Sequence, residues 1–106
     1  MRQMTPQQLN DFLQTAETPP LLLDVREPHE YAHCRIEGSV NMPMNGIPSR
    51  LAELDRDTEI VTICHHGMRS GAVADYLLGL GYTRITNLQG GIDAWAAQVD
   101  PEMARY

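Results

Sequence analysis

Two rhythms of hydrophobic and polar positions alternate along this chain. Short apolar runs stand at Leu21–Val25 and Glu59–Ile63, with a further run at Arg84–Leu88 and a weak one at Ser39–Met42 that Pro43 closes. The continuous apolar run Leu21–Val25 predicts a strand buried on both sides, and Glu59–Ile63, rich in β-branched residues, is the strongest strand signal. Between them apolar residues recur three and four apart: Leu9, Phe12, Leu13 and Ala16; Val73, Tyr76, Leu77 and Leu80; Ile92, Trp95, Ala96 and Val99. Each set paints one face of a helix.

Local signals sharpen these boundaries. Thr5-Pro6-Gln7-Gln8 predicts a helix start, with Thr5 as cap, Pro6 in the first turn and Gln8 closing a capping box, while Met4 and Leu9 form a hydrophobic staple. Thr18-Pro19-Pro20 ends that helix. Glu27-Pro28 restarts a short helical turn reaching about Cys34, and Pro48 opens a small helix carrying Leu51 and Leu54 beside Ile47. Gly79 and Gly81 stop the helix that carries Val73 to Leu80, Gly90-Gly91 turns into the last, and Pro101 ends it, leaving 101–106 as a tail. Strand and helix in alternation, with short connections, predict an α/β fold: a mostly parallel sheet with helices on both faces. Residues 1–106 form one domain on this reading.

Composition narrows the function classes. With 106 residues, 42% hydrophobic and 21% charged, the chain fits one globular core. The net charge of −6 argues against nucleic acid or an anionic membrane surface as partner. All eight basic residues are arginine, so any site cation is a permanently charged guanidinium or a histidine. The N-terminus lacks an apolar leader, no run reaches membrane-spanning length, and the two cysteines suit free thiols in a reducing compartment; the expectation is a cytoplasmic protein. Nothing in the pattern indicates an oligomeric state.

Chemistry concentrates at Cys64-His65-His66-Gly67-Met68-Arg69-Ser70. A thiol at the carboxyl end of a parallel strand sits where such sheets bind ligands. Backbone N–H groups of His65 to Ser70 can converge on its sulfur, the following helix adds its dipole, and Arg69 adds a full charge. Such surroundings favour a thiolate and make a cysteine nucleophilic without a separate base.

This loop resembles the active-site loop of rhodanese-like sulfurtransferases. Leu22-Leu23-Asp24-Val25-Arg26-Glu27, Tyr31, Ile36-Glu37-Gly38-Ser39-Val40-Asn41-Met42-Pro43 and Leu88-Gln89-Gly90-Gly91-Ile92-Asp93-Ala94-Trp95 are similar to that family's successive signatures, in order. The resemblance implies a three-layer rhodanese-like fold with a five-stranded, mostly parallel sheet. It implies a sulfurtransferase in which Cys64 takes the outer sulfur of thiosulfate or a similar donor, holds it as a persulfide, and passes it to cyanide in an assay or to a thiol or protein sulfur carrier. His65, His66, Gly67, Met68, Arg69 and Ser70 would line the persulfide-binding loop, with no cofactor and no metal.

Three rival readings remain at this point. Phosphatases share the implied fold, but four residues separate Cys64 from Arg69 here, one fewer than a phosphate cradle uses. His29, His33, Cys34, Cys64, His65 and His66 supply metal-ligand types without a recognised finger spacing. A non-catalytic binding module would need no cysteine at all. Arg35 is a secondary candidate for guiding an anionic donor, Cys34 for resolving an oxidised Cys64, and Asp24 with Arg26 for a structural ion pair.

Overall fold

A computed structural model describes residues 1–106. Ten elements follow in order: β1 (Arg2–Met4), α1 (Pro6–Thr15), β2 (Leu21–Asp24), α2 (Pro28–His33), β3 (Val40–Asn41), a 3₁₀ helix (Met44–Glu53), β4 (Ile60–Ile63), α3 (Met68–Gly79), β5 (Ile85–Leu88) and α4 (Gly91–Gln98). The sheet has five strands in the order β1-β5-β4-β2-β3, and every neighbouring pair is parallel. From β2 the chain steps outward to β3, then back across to β4 and β5. The reversal lies between β2 and β4, so the crevice beyond their carboxyl ends is the expected ligand position. Cys64 follows β4 there, and Val25-Arg26 follows β2.

Alternate residues of the central strands feed two cores. Leu23, Val25, Ile60 and Ile85 face Ile47 of the 3₁₀ helix and Val73, Ala74 and Leu77 of α3. Leu22, Val61, Ile63 and Leu88 face Leu9 of α1 and Ile92 and Trp95 of α4. The sheet is therefore buried on each side, as the unbroken apolar runs require. The Thr5 capping box forms as expected, Gln8 N–H donating to Thr5 Oγ1 at 3.2 Å and Thr5 N–H to Gln8 Oε1 at 2.9 Å.

Four expectations change. Strand β1 was not foreseen: Arg2-Gln3-Met4 has no apolar run, and it is a strand only because β5 offers an open edge, Arg2 pairing with Thr86 and Met4 with Leu88. The helix assigned to Pro48 onward begins at Met44 and is 3₁₀, broken at Arg50. Pro43 and Pro48 each remove an amide donor, so the segment closes as separate short turns. Tyr76, assigned to the buried face of α3, is 40% exposed; Ala74 takes the buried position. Residues 101–106 form no helix or strand, yet they do not trail away. Met103 packs against the core under α1 and α4, and Arg105 Nη2 donates to Asp93 Oδ1 at 2.9 Å. No helix is long and apolar enough to cross a membrane.

Candidate active site

Cys64 sits one residue past β4 and is 1% exposed. The chain then turns sharply enough that Gly67 lies at φ +103°, in the left-handed region, where it caps α3. Met68, Arg69 and Ser70 consequently occupy the first turn of α3, so that helix starts earlier than its apolar face suggests. The Cys64 sulfur accepts from Gly67 N–H at 3.0 Å and from the Ser70 hydroxyl at 3.3 Å. Of the six amides expected to converge on it, Gly67's makes the hydrogen bond.

The loop is held from outside by α4. Ile92 N–H donates to Cys64 O at 2.8 Å and Asp93 N–H to His65 O at 3.0 Å. Two amides that a helix start would leave without partners thus clamp the loop carbonyls. The approach is so close that a Cβ on Gly91, at φ +60°, would collide with the backbone oxygens of Cys64 and His65. A sequence reading sees Gly90-Gly91 as a turn; its requirement comes from this contact.

Arg69 is not a free cation. Its guanidinium grips the Glu30 carboxylate through two nitrogens, at 2.7 and 3.0 Å. That pairing, with smaller help from the Glu27 amide and Tyr106, holds the Glu30 carboxyl down to about 2 despite partial burial. Glu30 Oε2 also accepts from the Tyr106 hydroxyl at 2.9 Å, and that hydroxyl accepts from Arg26 Nη1 at 2.9 Å. Arg26 in turn is fully buried against Asp24, at 2.7 Å between Nη2 and Oδ2, and donates to Cys34 O at 2.6 Å. The Asp24–Arg26 pair expected from sequence is therefore one end of a chain of alternating charge that runs through Tyr106 and Glu30 to Arg69. Burial, and donation of its proton to Glu30, push the Tyr106 phenol up to about 12. Glu30 was missed in the sequence, where its one signal is an acid three residues after Glu27 at a helix start; Tyr106, eighty positions from Arg26, carries no sequence signal for its place.

His65 lies between two rings, stacked on His66 at 4.1 Å between centroids and on Tyr106 at 4.0 Å. Burial, and then the neighbouring His66, lower its pKa below the usual histidine value. His65, His66 and Asp93 bring ligand atoms within 4.8 Å of one another. The imidazoles lie face to face, 12° from parallel, so their in-plane lone pairs run side by side instead of converging on one ion. Met68 projects to solvent, 84% exposed. Arg35 does not join this group: it stacks over Tyr31 at 5.0 Å and lines a separate depression with Leu13, Trp95 and Met103. Cys34 is a free, buried thiol in the core on the opposite face of the sheet from the cluster that holds Cys64, so a disulfide between them needs rearrangement.

Asn87, inside β5, escaped the sequence reading. Its side chain joins Ser70, Thr62 and the Gly67 carbonyl beneath the thiol. The available signal was an amide in a short strand flanked by Ile85 and Leu88, which burial obliges to find partners.

Comparison with known proteins gives a consistent result. A family model described as "Rhodanese-like domain" matches residues 5–98. A sulfurtransferase of Allochromatium vinosum is 42% identical over 84 residues, 79% of this chain and 78% of that protein. The thiosulfate sulfurtransferase GlpE of Stutzerimonas stutzeri is 32% identical over 75 residues, 71% of this chain and 69% of that one. The crystal structure of a rhodanese-related protein from Thermoplasma volcanium superposes with a TM-score of 0.83 at 31% identity, covering 93% of this chain and 94% of the other.

Proposed function

This chain belongs to the rhodanese-like domain family and is a sulfurtransferase, and from that premise we propose that Cys64 is the nucleophile which carries the sulfur as a persulfide. The observation that carries the reading is the sulfur at the end of β4, accepting from Gly67 N–H at 3.0 Å in a loop that α4 clamps from behind.

The steps balance without a cofactor. The Cys64 thiolate attacks the outer sulfur of thiosulfate; a new S–S bond forms, the old one breaks, and sulfite leaves with the bonding pair. The persulfide's negative charge then rests on its terminal sulfur, where loop N–H groups and the dipole of α3 offset it. An acceptor nucleophile, cyanide in an assay or a thiol or protein sulfur carrier otherwise, attacks that terminal sulfur and releases the Cys64 thiolate. Two half-reactions through a covalent enzyme form give ping-pong kinetics. The protein's contribution is position and electrostatics: Gly67 N–H and the Ser70 hydroxyl reach the Cys64 sulfur before sulfur is taken up, and Arg69 stands in the same helical turn.

Arg69 is already paired with Glu30, so its field toward a dianion is reduced. Thiosulfate on this view is a usable donor, and donors of lower charge density are served as well. The spacing of four residues between Cys64 and Arg69 favours a sulfur atom over a phosphate.

The test is intact mass after thiosulfate treatment. The chain gains one sulfur atom, cyanide removes it, and Cys64→Ser gains none. A gain that survives Cys64→Ser, or none with any sulfane donor, overturns the proposal.

A further inference from the structure

Under the thiol lies a run of buried polar side chains of which the sulfur-transfer steps above use only Ser70. Thr62, Ser70 and Asn87 are 0%, 0% and 3% exposed. Asn87 Oδ1 accepts from Ser70 Oγ at 2.5 Å and from Thr62 Oγ1 at 3.2 Å. Asn87 Nδ2 donates to Gly67 O and to Gln3 Oε1, each at 3.1 Å. The Gly67 carbonyl fixes the amide's orientation, because a reversed Asn87 would set its oxygen against that oxygen with no proton between them. Ser70 has one hydroxyl proton and two acceptors in reach, Asn87 Oδ1 at 2.5 Å and Cys64 Sγ at 3.3 Å.

We propose that Asn87 is a positioning residue that competes with the Cys64 thiolate for the Ser70 proton, and so sets how strongly the resting thiolate is stabilised. This rests on the reading of Cys64 as the nucleophile. With the thiol neutral, its S–H donates to Ser70 Oγ while Ser70 donates to Asn87. With the thiol ionised, the Ser70 hydroxyl turns to the sulfur, and Asn87 Oδ1 keeps only Thr62. Once sulfur has been taken up, charge moves to the terminal atom, the inner sulfur becomes a weak acceptor, and the hydroxyl returns to Asn87. Ionisation passes the thiol proton to solvent; between thiolate and persulfide no further proton moves, and the single Ser70 O–H changes direction as the charge moves. Through Gly67 O, Asn87 also holds the residue whose N–H is the sulfur's other donor. One side chain thereby links both hydrogen bonds to the nucleophile.

Charged and titratable groups surround the thiol from every side: His65 and His66 in the loop, Arg69 on α3, Glu30 on α2, the Asp24–Arg26 pair after β2, Asp93 on α4, and Tyr106. They are common to all variants below; only Asn87→Asp adds a charge, whose direct effect on the thiol persists in the Ser70→Ala background, so the part lost there isolates the hydroxyl.

The experiment is the pH dependence of Cys64 alkylation by iodoacetamide, read by mass at that residue. Asn87→Leu, nearly isosteric and without an acceptor, frees the Ser70 proton and lowers the midpoint by about one pH unit, the size of one charge-assisted hydrogen bond. Asn87→Asp, a stronger acceptor, raises it, and Ser70→Ala raises it. In the Ser70→Ala background, Asn87→Leu no longer lowers the midpoint; loss of its bond to Gly67 O leaves only an effect in the opposite direction. Should Asn87→Leu not fold, the Asn87→Asp effect decides: it must shrink when Ser70→Ala is added. A midpoint unmoved by Asn87→Leu, or moved equally with and without the Ser70 hydroxyl, overturns the proposal. Alkylation needs no sulfur donor, so failure of the persulfide reading shows separately, as absent sulfur loading in the unmutated chain.

Discussion

Glu30→Gln separates the two tasks that Arg69 performs. The substitution keeps the shape and an acceptor for Tyr106 but removes the charge that Arg69 grips through contacts at 2.7 and 3.0 Å. The fall of the Glu30 carboxyl from 4.5 to about 2 corresponds to about 3 kcal/mol of preference for the folded, ionised form. Water reaches part of the pair, the Arg69 side chain being 35% exposed against 12% for Glu30, and screening reduces the stability at stake to about 1–2 kcal/mol. Glu30→Gln is accordingly expected to lower the melting midpoint by roughly 5–10 °C at neutral pH. The sign with pH follows from a depressed carboxyl: its contribution is complete above the unfolded value near 4.5 and disappears as pH falls through about 2. The gap between wild type and variant therefore narrows on acidification below 4.5 and closes near 2. At the same time Arg69 is released toward the donor. In a thiosulfate–cyanide assay the KM for thiosulfate should fall about fivefold, the equivalent of about 1 kcal/mol, with a larger gain at low salt. Lost stability with an unchanged or higher KM would refute the idea that Glu30 restrains the charge of the site.

Other substitutions probe the supports of the loop. Gly91→Ala forces a side chain at φ +60° into the Cys64 and His65 carbonyls; it should cost about 2 kcal/mol or more in denaturant unfolding and abolish sulfur loading. Tyr106→Phe keeps the ring on His65 but removes the hydroxyl between Arg26 and Glu30, and denaturant midpoints should show a loss of about 1 kcal/mol. His65, whose pKa is lowered by burial and by His66, should titrate below about 6.5 by NMR. A histidine held neutral by the fold withdraws stability as pH falls below that ordinary value and withdraws no more once its own folded pKa is passed. Cys34→Ser should leave sulfur loading intact, since Cys34 packs on the other face of the sheet.

How far the sequence reached depends on the range of the forces involved. The apolar runs of β2, β4 and β5 and the capping box at Thr5 are decided by near neighbours, and they predict a parallel sheet with a thiol at a strand end. Resemblance added the order of the motifs and the chemistry. By contrast, β1 exists because β5 has an open edge, the 3₁₀ helix reflects two prolines sharing one short span, and Tyr76 faces out because Ala74 faces in. The two prolines are a local signal; the open edge of β5 and the outward facing of Tyr76 are not properties of a local window.

The site divides along the same line. Cys64 to Ser70 reads from sequence as a tight turn into a helix with backbone donors near the sulfur; that Gly67 N–H and the Ser70 hydroxyl are the groups that reach it is decided by the fold. The charge of Arg69 was legible, but its use was not: Glu30 arrives from α2, and Tyr106 from the far end of the chain. Asn87 reaches Ser70 from β5, seventeen positions away. Side-chain type and short spacing belong to the sequence. Which groups share a proton or neutralise a charge is decided by tertiary packing, because hydrogen bonds and ion pairs act over a few ångströms of space, whatever their separation along the chain.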